Sequence, residues 1–207
     1  MWLNFDQCLG LHEAAHFPLV SFDKSREQCW SYLDAACRLV GRPEGRPGRA
    51  LGKDHGLKVI EALGAPPFGS YSIYMITTEP PEGPEHAVYI GQTNAESHRF
   101  KSGHAAISKL HAPRYDGHKK RIYFGCVSAC NDDNNVIPVE WMPEENGREQ
   151  ILSSVENEMI FSLKPALNNT GKNTYLVKSP FPITVQNLAG PQFLDAQCFG
   201  SICGVRE

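Results

Sequence analysis

The sequence lacks the features that mark membrane and secreted proteins. No apolar run approaches the ~20 residues that a bilayer-spanning helix needs. The N-terminus has an acid at Asp6 and lacks the basic start and apolar stretch of a signal peptide. The seven cysteines are an odd number without a tight spacing pattern, which argues against a disulfide scaffold. We therefore expect a cytoplasmic protein with reduced thiols and no membrane partner.

The chain also lacks an overall positive charge. Its formal net charge is −3, which argues against a general polyanion binder. The basic residues are instead concentrated in one segment. Between Glu96 and Gly125, seven Lys and Arg residues stand against two acids, and four histidines lie in the same window. This segment predicts local contacts with phosphates, although a solvated helix face would show the same charges.

The 207 residues, 41% of them apolar, suffice for one sizeable core. The first part of the chain, residues 1–65, is predicted to be a helical N-terminal segment. Apolar residues recur at helical spacing over 24–40, and a shorter helix is predicted over 54–63. Between them lies a loop punctuated by Gly and Pro that carries Arg46 and Arg49. Gly64 and the following "APPFG" mark a boundary near residue 65.

The middle of the chain, residues 66–172, alternates predicted strands and helices. "SYSIYMITT" and "AVYIGQT" predict an antiparallel hairpin joined by "EPPEGPEH", and "KKRIYFGCV" predicts a third strand. Asn94 is expected to cap a helix, a further helical piece covers 104–111, and a long helix covers 147–163 until Pro165 ends it. We predict an α+β fold, with a small, mainly antiparallel three-stranded sheet flanked by helices and a short C-terminal extension over 173–207.

Several motifs follow one another in a specific order in this middle part. Gly69, Tyr71 and Ile73 form G-x-Y-x-I, and "YIG" follows at Tyr89. Arg99 stands ten residues after Tyr89, and Glu156 precedes the Asn168 of "KPALNN" by twelve residues. This ordered set resembles the GIY-YIG endonuclease family from Gly69 to Asn169, roughly half the chain. The resemblance implies a metal-dependent endonuclease that hydrolyses phosphodiester bonds in DNA.

The resemblance also implies which residues form the active site. They are Tyr71, Tyr89, Arg99, His104, Glu156 and Asn168. Tyr74 competes with Tyr71, because "SIYMI" fits the first motif too. Tyr71 is favoured because Gly69 precedes it by two residues, and strand alternation predicts that Tyr71 and Tyr74 point to opposite faces. The family often has a His four residues after the Arg; here Gly103 holds that position, and His104 follows one residue later.

These residue types suit phosphodiester hydrolysis. The Glu156 carboxylate can hold Mg²⁺, with Mn²⁺ as a substitute, while water and phosphate oxygens complete a one-metal site. The Arg99 guanidinium suits the negative charge that develops in the transition state. A tyrosine of pKa near 10 is ionised to about one part in a thousand at neutral pH. The resemblance implies that Tyr71 is the likelier general base, with Tyr89 assisting. Such a tyrosine needs a nearby cation to lower its pKa, or it acts only as a proton relay.

The other implied roles concern activation and substrate binding. His104 is a candidate for activating a tyrosine or touching a phosphate oxygen, and Asn168 for orienting the phosphate or a metal-bound water. The DNA backbone is expected to contact the basic residues Lys101, Lys119, Lys120, Arg121, Arg46 and Arg49. Size and fold analogy are compatible with an enzyme of restriction, defence or mobile elements that acts as a monomer or homodimer, with RNA still open as a substrate.

Other functions remain open from the sequence. One is a nucleic-acid-binding protein that keeps the scaffold without catalysis. Another is a zinc hydrolase, because His12, Glu13 and His16 match H-E-x-x-H, although a proline two residues later leaves barely two helical turns. A structural zinc site is a third question, because Cys126 and Cys130, and Cys198 and Cys203, are closely spaced, although neither spacing is the usual C-x2-C.

Overall fold

The protein was analysed as a computed structural model. It describes residues 1–42, 53–67, 70–93, 100, 103–130, 136–141, 145–174, 176, 182–189, 194 and 197–199. Several residues and elements singled out from the sequence lie outside the described residues: Arg46, Arg49, Gly69, Arg99, Lys101, Cys203 and the helix expected after Asn94.

The described residues form one mixed, mainly antiparallel sheet between helices, which confirms an α+β fold. Its seven strands are β1 (Trp2–Gly10), β2 (Ile73–Glu79), β3 (His86–Gln92), β4 (Lys119–Cys130), β5 (Val136–Pro138), β6 (Ile183–Asn187) and β7 (Gln197–Phe199). The strand order is β3-β2-β4-β1-β6-β7, and β5 pairs with the end of β4. In this order β3 forms one edge of the sheet.

The expectation of three strands was therefore wrong. The three predicted strands are present as β2, β3 and β4, and β2 and β3 form the expected antiparallel hairpin. The other strands come from segments predicted to be helical or left unassigned. β1 runs antiparallel to β4 and parallel to β6, so all three predicted segments contribute to one sheet. A register shift between Phe5 and Gln7 interrupts β1, which weakens the period-2 pattern in its sequence.

Four of the predicted helices lie within the described residues, and they are present with small changes of boundary. They are α1 (Phe22–Leu39), α2 (Lys53–Leu63), α3 (Ala105–Lys109) and α4 (Glu145–Leu163). The hydroxyl of Ser21 caps α1 by accepting the N–H of Lys24. α4 ends before Pro165 as predicted, and Lys164 adopts a left-handed φ of 47° after it.

Two apolar clusters pack on opposite faces of the sheet. On one face, Leu152, Val155 and Met159 of α4 pack with the odd-numbered residues of β2, Ile73 and Met75. On the other face, α3 and the short helix over Leu11–His16 pack against the even-numbered residues of β2. We call these the α4 face and the α3 face. Each fully buried aliphatic side chain contributes roughly 1.5–3 kcal/mol, so α4 is held firmly against the sheet.

None of the helices in the described residues is both long enough and apolar enough to cross a bilayer.

Candidate active site at the β3 edge

Tyr74, Tyr89, His104 and Phe100 form a compact aromatic cluster on the α3 face. The Tyr74 and Tyr89 rings lie 6.0 Å apart between centroids, and both meet the His104 ring edge-on, at 5.7 Å and 5.2 Å. The Tyr74 hydroxyl lies 2.9 Å from Nε2 of His104. Phe100, the residue after Arg99 in the sequence, packs edge-on against Tyr74 at 5.1 Å. The two tyrosine motifs therefore meet through a shared histidine.

The start of α3 determines the tautomer of His104. Its Nδ1 accepts the backbone N–H of Ala106 at 3.2 Å, which caps the helix. A nitrogen that accepts a hydrogen bond carries no proton, so in neutral imidazole the proton is on Nε2. The hydrogen-bond network thus assigns Nε2–H as the donor to the Tyr74 hydroxyl oxygen. Such a bond stabilises negative charge on that oxygen.

Gly91 makes the approach of the two tyrosines possible. It pairs with Tyr74 across the hairpin. A Cβ at this position would lie 2.5 Å from the Tyr74 hydroxyl oxygen, 2.6 Å from Cζ of the same ring and 2.9 Å from Cε1 of Tyr89. The glycine of the "YIG" motif is therefore required by packing, because the Tyr74 ring occupies the space of the missing side chain.

Tyr71 lies in a different environment from Tyr74. Its ring contacts Phe17 at 5.5 Å and Phe124 at 6.0 Å. Burial raises the pKa of the Tyr71 phenol above its usual value, and the nearby Asp6 raises it further. A phenol with a raised pKa is a weaker candidate for a general base at neutral pH. Of the two tyrosines offered by the first motif, the structure brings Tyr74 to Tyr89 and His104, which reverses the preference for Tyr71.

The alternation argument about these tyrosines fails for a local reason. The Ser72 N–H donates to the carbonyl of Ser70 at 2.9 Å, a tight turn centred on Tyr71. The strand begins only at Ile73, so period-2 alternation does not extend back to Tyr71. Both Tyr71 and Tyr74 consequently pack with the α3-face cluster.

A cleft of about 730 Å³ opens beside the aromatic cluster, at the β3 edge of the sheet. Four of the predicted site residues line it: Tyr89, His104, Glu156 and Asn168. Glu156 belongs to a stripe of α4 residues at helical spacing, with Ser153, Asn157 and Ile160, that faces the cleft while neighbouring residues of α4 enter the core. Residues far apart in the sequence therefore converge at one opening.

Asn168 connects the end of α4 to the edge strand. Its side-chain nitrogen donates to the carbonyl of Ile90 at 2.8 Å, and its side-chain oxygen accepts the N–H of Ile90 at 2.9 Å. Next to it, the Leu167 N–H donates to the carbonyl of Val88 at 2.8 Å. The Asn168 amide thus acts as an extra strand residue along β3. This arrangement favours a positioning role for Asn168 over the predicted direct contact with phosphate.

The predicted basic residues on β4 separate onto two faces. Arg121 pairs with Glu79 at 2.6 Å and with Glu85 at 3.2 Å, and Lys119 pairs with Glu79 at 3.3 Å. These ion pairs lie along the α4 face, where the positive charges are largely neutralised. Lys120 lies between them in the strand and points to the α3 face, because it pairs in register with Thr78. Lys120 is thus better placed for a substrate than Lys119 and Arg121.

The zinc alternatives find little geometric support. "HEAAH" forms a 3₁₀ helix, in which residues four apart do not share a face, and the Glu13 carboxylate accepts the N–H of Gly10 at 2.8 Å. Cys8, Cys29, Cys37 and Cys126 are free thiols. Within the described part of the chain, no three His, Cys, Asp or Glu side chains are grouped so as to hold a metal ion. A protein carboxylate that holds Mg²⁺ alone, as predicted for Glu156, needs no such group.

The cleft also contains residues that the sequence did not single out. Lys109 of α3 lines it and adds a positive charge. Gln92 donates to the Ser153 hydroxyl at 3.3 Å and so links β3 to α4. The sequence placed Lys109 in the basic segment without marking it as a site residue. In the structure it lies one helical turn after Ala105, and both residues line the cleft.

Comparisons of the chain with protein-family models, with curated proteins and with solved structures found no match. The resemblance to the GIY-YIG endonucleases therefore rests on the order of the motifs.

Proposed function

We propose that this protein is a metal-dependent endonuclease of the GIY-YIG type that hydrolyses phosphodiester bonds in DNA. The observation that supports this most directly is the cleft, which gathers Tyr89, His104, Glu156 and Asn168 from separate segments of the chain. These residues were selected from the order of the motifs alone. A coincidental motif match gives no reason for its members to share one opening.

The cleft fits a hard divalent cation. Glu156 supplies a carboxylate oxygen, and the side chains of Asn157 and Asn169 on the same wall supply neutral amide oxygens. Mg²⁺ prefers such oxygen donors and usually keeps several of its waters. Glu156 would hold the ion, which when bound supplies positive charge next to the phosphate oxygens.

Tyr89 is the residue that we assign to the attacking water. Of the described residues that line the cleft, Tyr89 is the one phenol, and its side chain is half-buried. Its oxygen takes the proton of the water while the water oxygen attacks phosphorus. One P–O ester bond breaks, and the leaving oxygen takes a proton from solvent. This step needs the ionised phenol, and Lys109 adds a positive charge to the same cleft.

Tyr74 and His104 position Tyr89. Tyr74 is fully buried, so its hydroxyl acts from behind the cleft wall. It accepts the Nε2–H of His104, and its ring lies along that of Tyr89. Because the two nitrogens of His104 contact Tyr74 and the start of α3, this histidine sets the angle at which the phenols meet. Arg99 remains the predicted group for transition-state charge.

The test is Mg²⁺-dependent nicking of supercoiled plasmid by the full chain and by Glu156→Gln. We expect the substitution to lower the nicking rate by ~100-fold or more, because it removes the charged ligand of the cation. Glu149→Gln is the matched control, since Glu149 is an exposed carboxylate on the same helix, and it should keep the wild-type rate. Circular dichroism would verify that both variants fold.

A second pair of variants tests the assigned positioning roles. Tyr74→Phe and His104→Ala should each lower the rate, and the double variant should lose little more than either one, because the two residues act through one hydrogen bond. Full additivity would contradict that role. If the wild-type protein binds DNA but cleaves none with Mg²⁺ or Mn²⁺, the scaffold serves binding alone and the endonuclease proposal fails.

A further inference from the structure

A second groove lies on the α3 face, on the far side of α3 from the cleft. It has a volume of about 370 Å³. Its apolar side is formed by Leu11, Ile107 and Leu110, and its polar side by histidines and Lys120. We call it the histidine groove. Its lining includes His12 of "HEAAH" and Lys120 of the basic segment, but the proposed chemistry does not use it.

The charge of the histidine groove suits an anion. Lys120 points into it, while its neighbours Lys119 and Arg121 point to the other face and pair with carboxylates. His111 and His118 add ring nitrogens to the same wall. Among the described residues that line the groove there is no Asp or Glu, so Lys120 meets no opposing carboxylate in the lining.

The His118 ring lines the groove and is partly exposed. It is held edge-on against Tyr115, with centroids 5.8 Å apart. Its Nδ1 is shielded from solvent, so an occupant of the groove would contact the exposed part of the ring and not this atom.

α3 separates the groove from the catalytic cleft. Ala105 and Lys109 line the cleft, whereas Ile107, Leu110 and His111 line the groove. A helix with its side chains is roughly 10 Å wide. A nucleic-acid strand rises 3.4 Å per nucleotide, so about three nucleotides span the helix. A strand lying across α3 can therefore reach both openings.

We propose that the histidine groove binds a nucleotide of the DNA substrate about three positions from the cleaved bond. Lys120 and His118 hold its phosphate, and the base or sugar lies against Leu11, Ile107 and Leu110. This assignment rests on the proposed endonuclease function. The neighbouring helix α3 thus separates a reacting phosphate in the cleft from a bound phosphate in the groove.

The experiment compares Lys120→Gln with Lys119→Gln. Both variants remove one lysine charge from adjacent positions of the same strand, but only Lys120 faces the groove. Binding of a fluorescein-labelled 20-base-pair random duplex is measured by anisotropy at several salt concentrations, in EDTA to prevent cleavage. We expect Lys120→Gln to weaken binding roughly fivefold and to reduce the salt slope by about one, with Lys119→Gln unchanged. His118→Ala should weaken binding in the same direction.

Position is tested with duplexes that end two or five base pairs from the mapped cut. On the duplex that extends five base pairs from the cut on the groove side, Lys120→Gln should still weaken binding. On the duplex that ends two base pairs from the cut on that side, the substitution should have no effect. Equal losses for Lys119→Gln and Lys120→Gln would overturn the inference, because they would report general charge. If the wild type cleaves DNA while the Lys120 and His118 variants bind normally, the groove assignment fails and the endonuclease stands. If the wild type neither binds nor cleaves DNA, the proposed function itself fails.

Discussion

The two faces of the sheet carry polar clusters of opposite character, although β2 contributes to both. On the α4 face, the Glu85 carboxylate accepts hydrogen bonds from the hydroxyls of Tyr123 at 3.0 Å and Thr77 at 2.5 Å. Arg121 pairs with Glu85 and Glu79. On the α3 face, Tyr74 and His104 form a hydrogen-bonded pair beside two open cavities. The members of the first cluster form hydrogen bonds and ion pairs with one another, whereas the second cluster borders cavities that are open to solvent.

The difference shows that residue type alone does not identify a site. Tyr123 and Tyr74 are both buried tyrosines of central strands. Burial raises the pKa of the Tyr123 phenol, and hydrogen bonding with Cys8 raises it further, which keeps the hydroxyl protonated. The Tyr74 hydroxyl instead accepts a hydrogen bond from a histidine that lines the cleft. Chemistry is therefore expected where the aromatic cluster of the α3 face borders the cleft, and structural stability from the Glu85 cluster on the α4 face.

The largest effect should come from removing one phenol on each face. Tyr89→Phe is expected to lower the rate of DNA nicking by ~10²–10⁴-fold, because it removes the assigned proton acceptor. Tyr123→Phe should leave the rate unchanged and cost about 1 kcal/mol in the free energy of unfolding. Nicking assays and urea unfolding measure the two quantities. A Tyr123→Phe variant as inactive as Tyr89→Phe would erase the distinction between the faces.

Two glycines provide the next comparison. Gly91→Ala forces its Cβ against the Tyr74 and Tyr89 rings, and a displacement of this size can cost ~100-fold in rate. In Gly125→Ala the Cβ would lie 2.9 Å from Cδ1 of Leu3 and 3.0 Å from the Phe5 ring, so it should lower stability instead. Nicking rates normalised to the folded fraction separate the two outcomes. Similar rates for both variants would argue against a special packing role for Gly91.

Glu85→Ala tests the self-contained cluster on the α4 face. The substitution leaves the hydroxyls of Tyr123 and Thr77 without their acceptor, and we expect a loss of about 1–3 kcal/mol in the free energy of unfolding. The nicking rate per folded molecule should not change. Denaturant titration gives the first quantity and plasmid nicking the second. Lost activity in a folded variant would show that the Glu85 cluster contributes to catalysis.

The smallest effect concerns Glu79, whose side chain is 27% exposed. Hydrogen bonds from Arg121 and then Lys119 lower the pKa of its carboxyl below the usual value. The unfolded chain therefore binds this proton more readily, so the contribution to stability is present above about pH 4.5 and is lost as the pH falls through the lower folded value. Glu79→Gln should flatten the decline of Tm in acid only slightly. Melting curves from neutral pH to below pH 4 measure the change, and a steeper decline in the variant would contradict the assignment.

The catalytic candidates illustrate what motif order can predict. Tyr89, His104, Glu156 and Asn168 were selected from the sequence, and the structure places them around one cleft. Tyr89 and Glu156 lie on elements with a strong local signal. The alternating "AVYIGQT" defined the strand of Tyr89, and helical spacing with Pro165 defined the helix of Glu156. The function of the cleft remains a prediction until cleavage is measured.

The choice between Tyr71 and Tyr74 shows where sequence reading reached its limit. Alternation assumes a continuous strand, and the turn at Ser70 to Ser72 ends it. The sequence also offered no reason to distinguish among Lys119, Lys120 and Arg121. A run of neighbouring charges does not indicate which residues will face each one across the sheet. Register with β2 decides that two of the three meet Glu79.

By itself, the sequence determined the local elements of this protein: its helices, its central hairpin and the order of its motifs, because hydrophobic period, capping and turn residues act over a few positions. Only the tertiary structure decided that the sheet has seven described strands, because pairing of β1 with β4 and β6 joins distant segments. It also decided that Tyr74, and not Tyr71, meets His104. Which buried group finds which partner depends on non-local packing, and no local pattern contains that information.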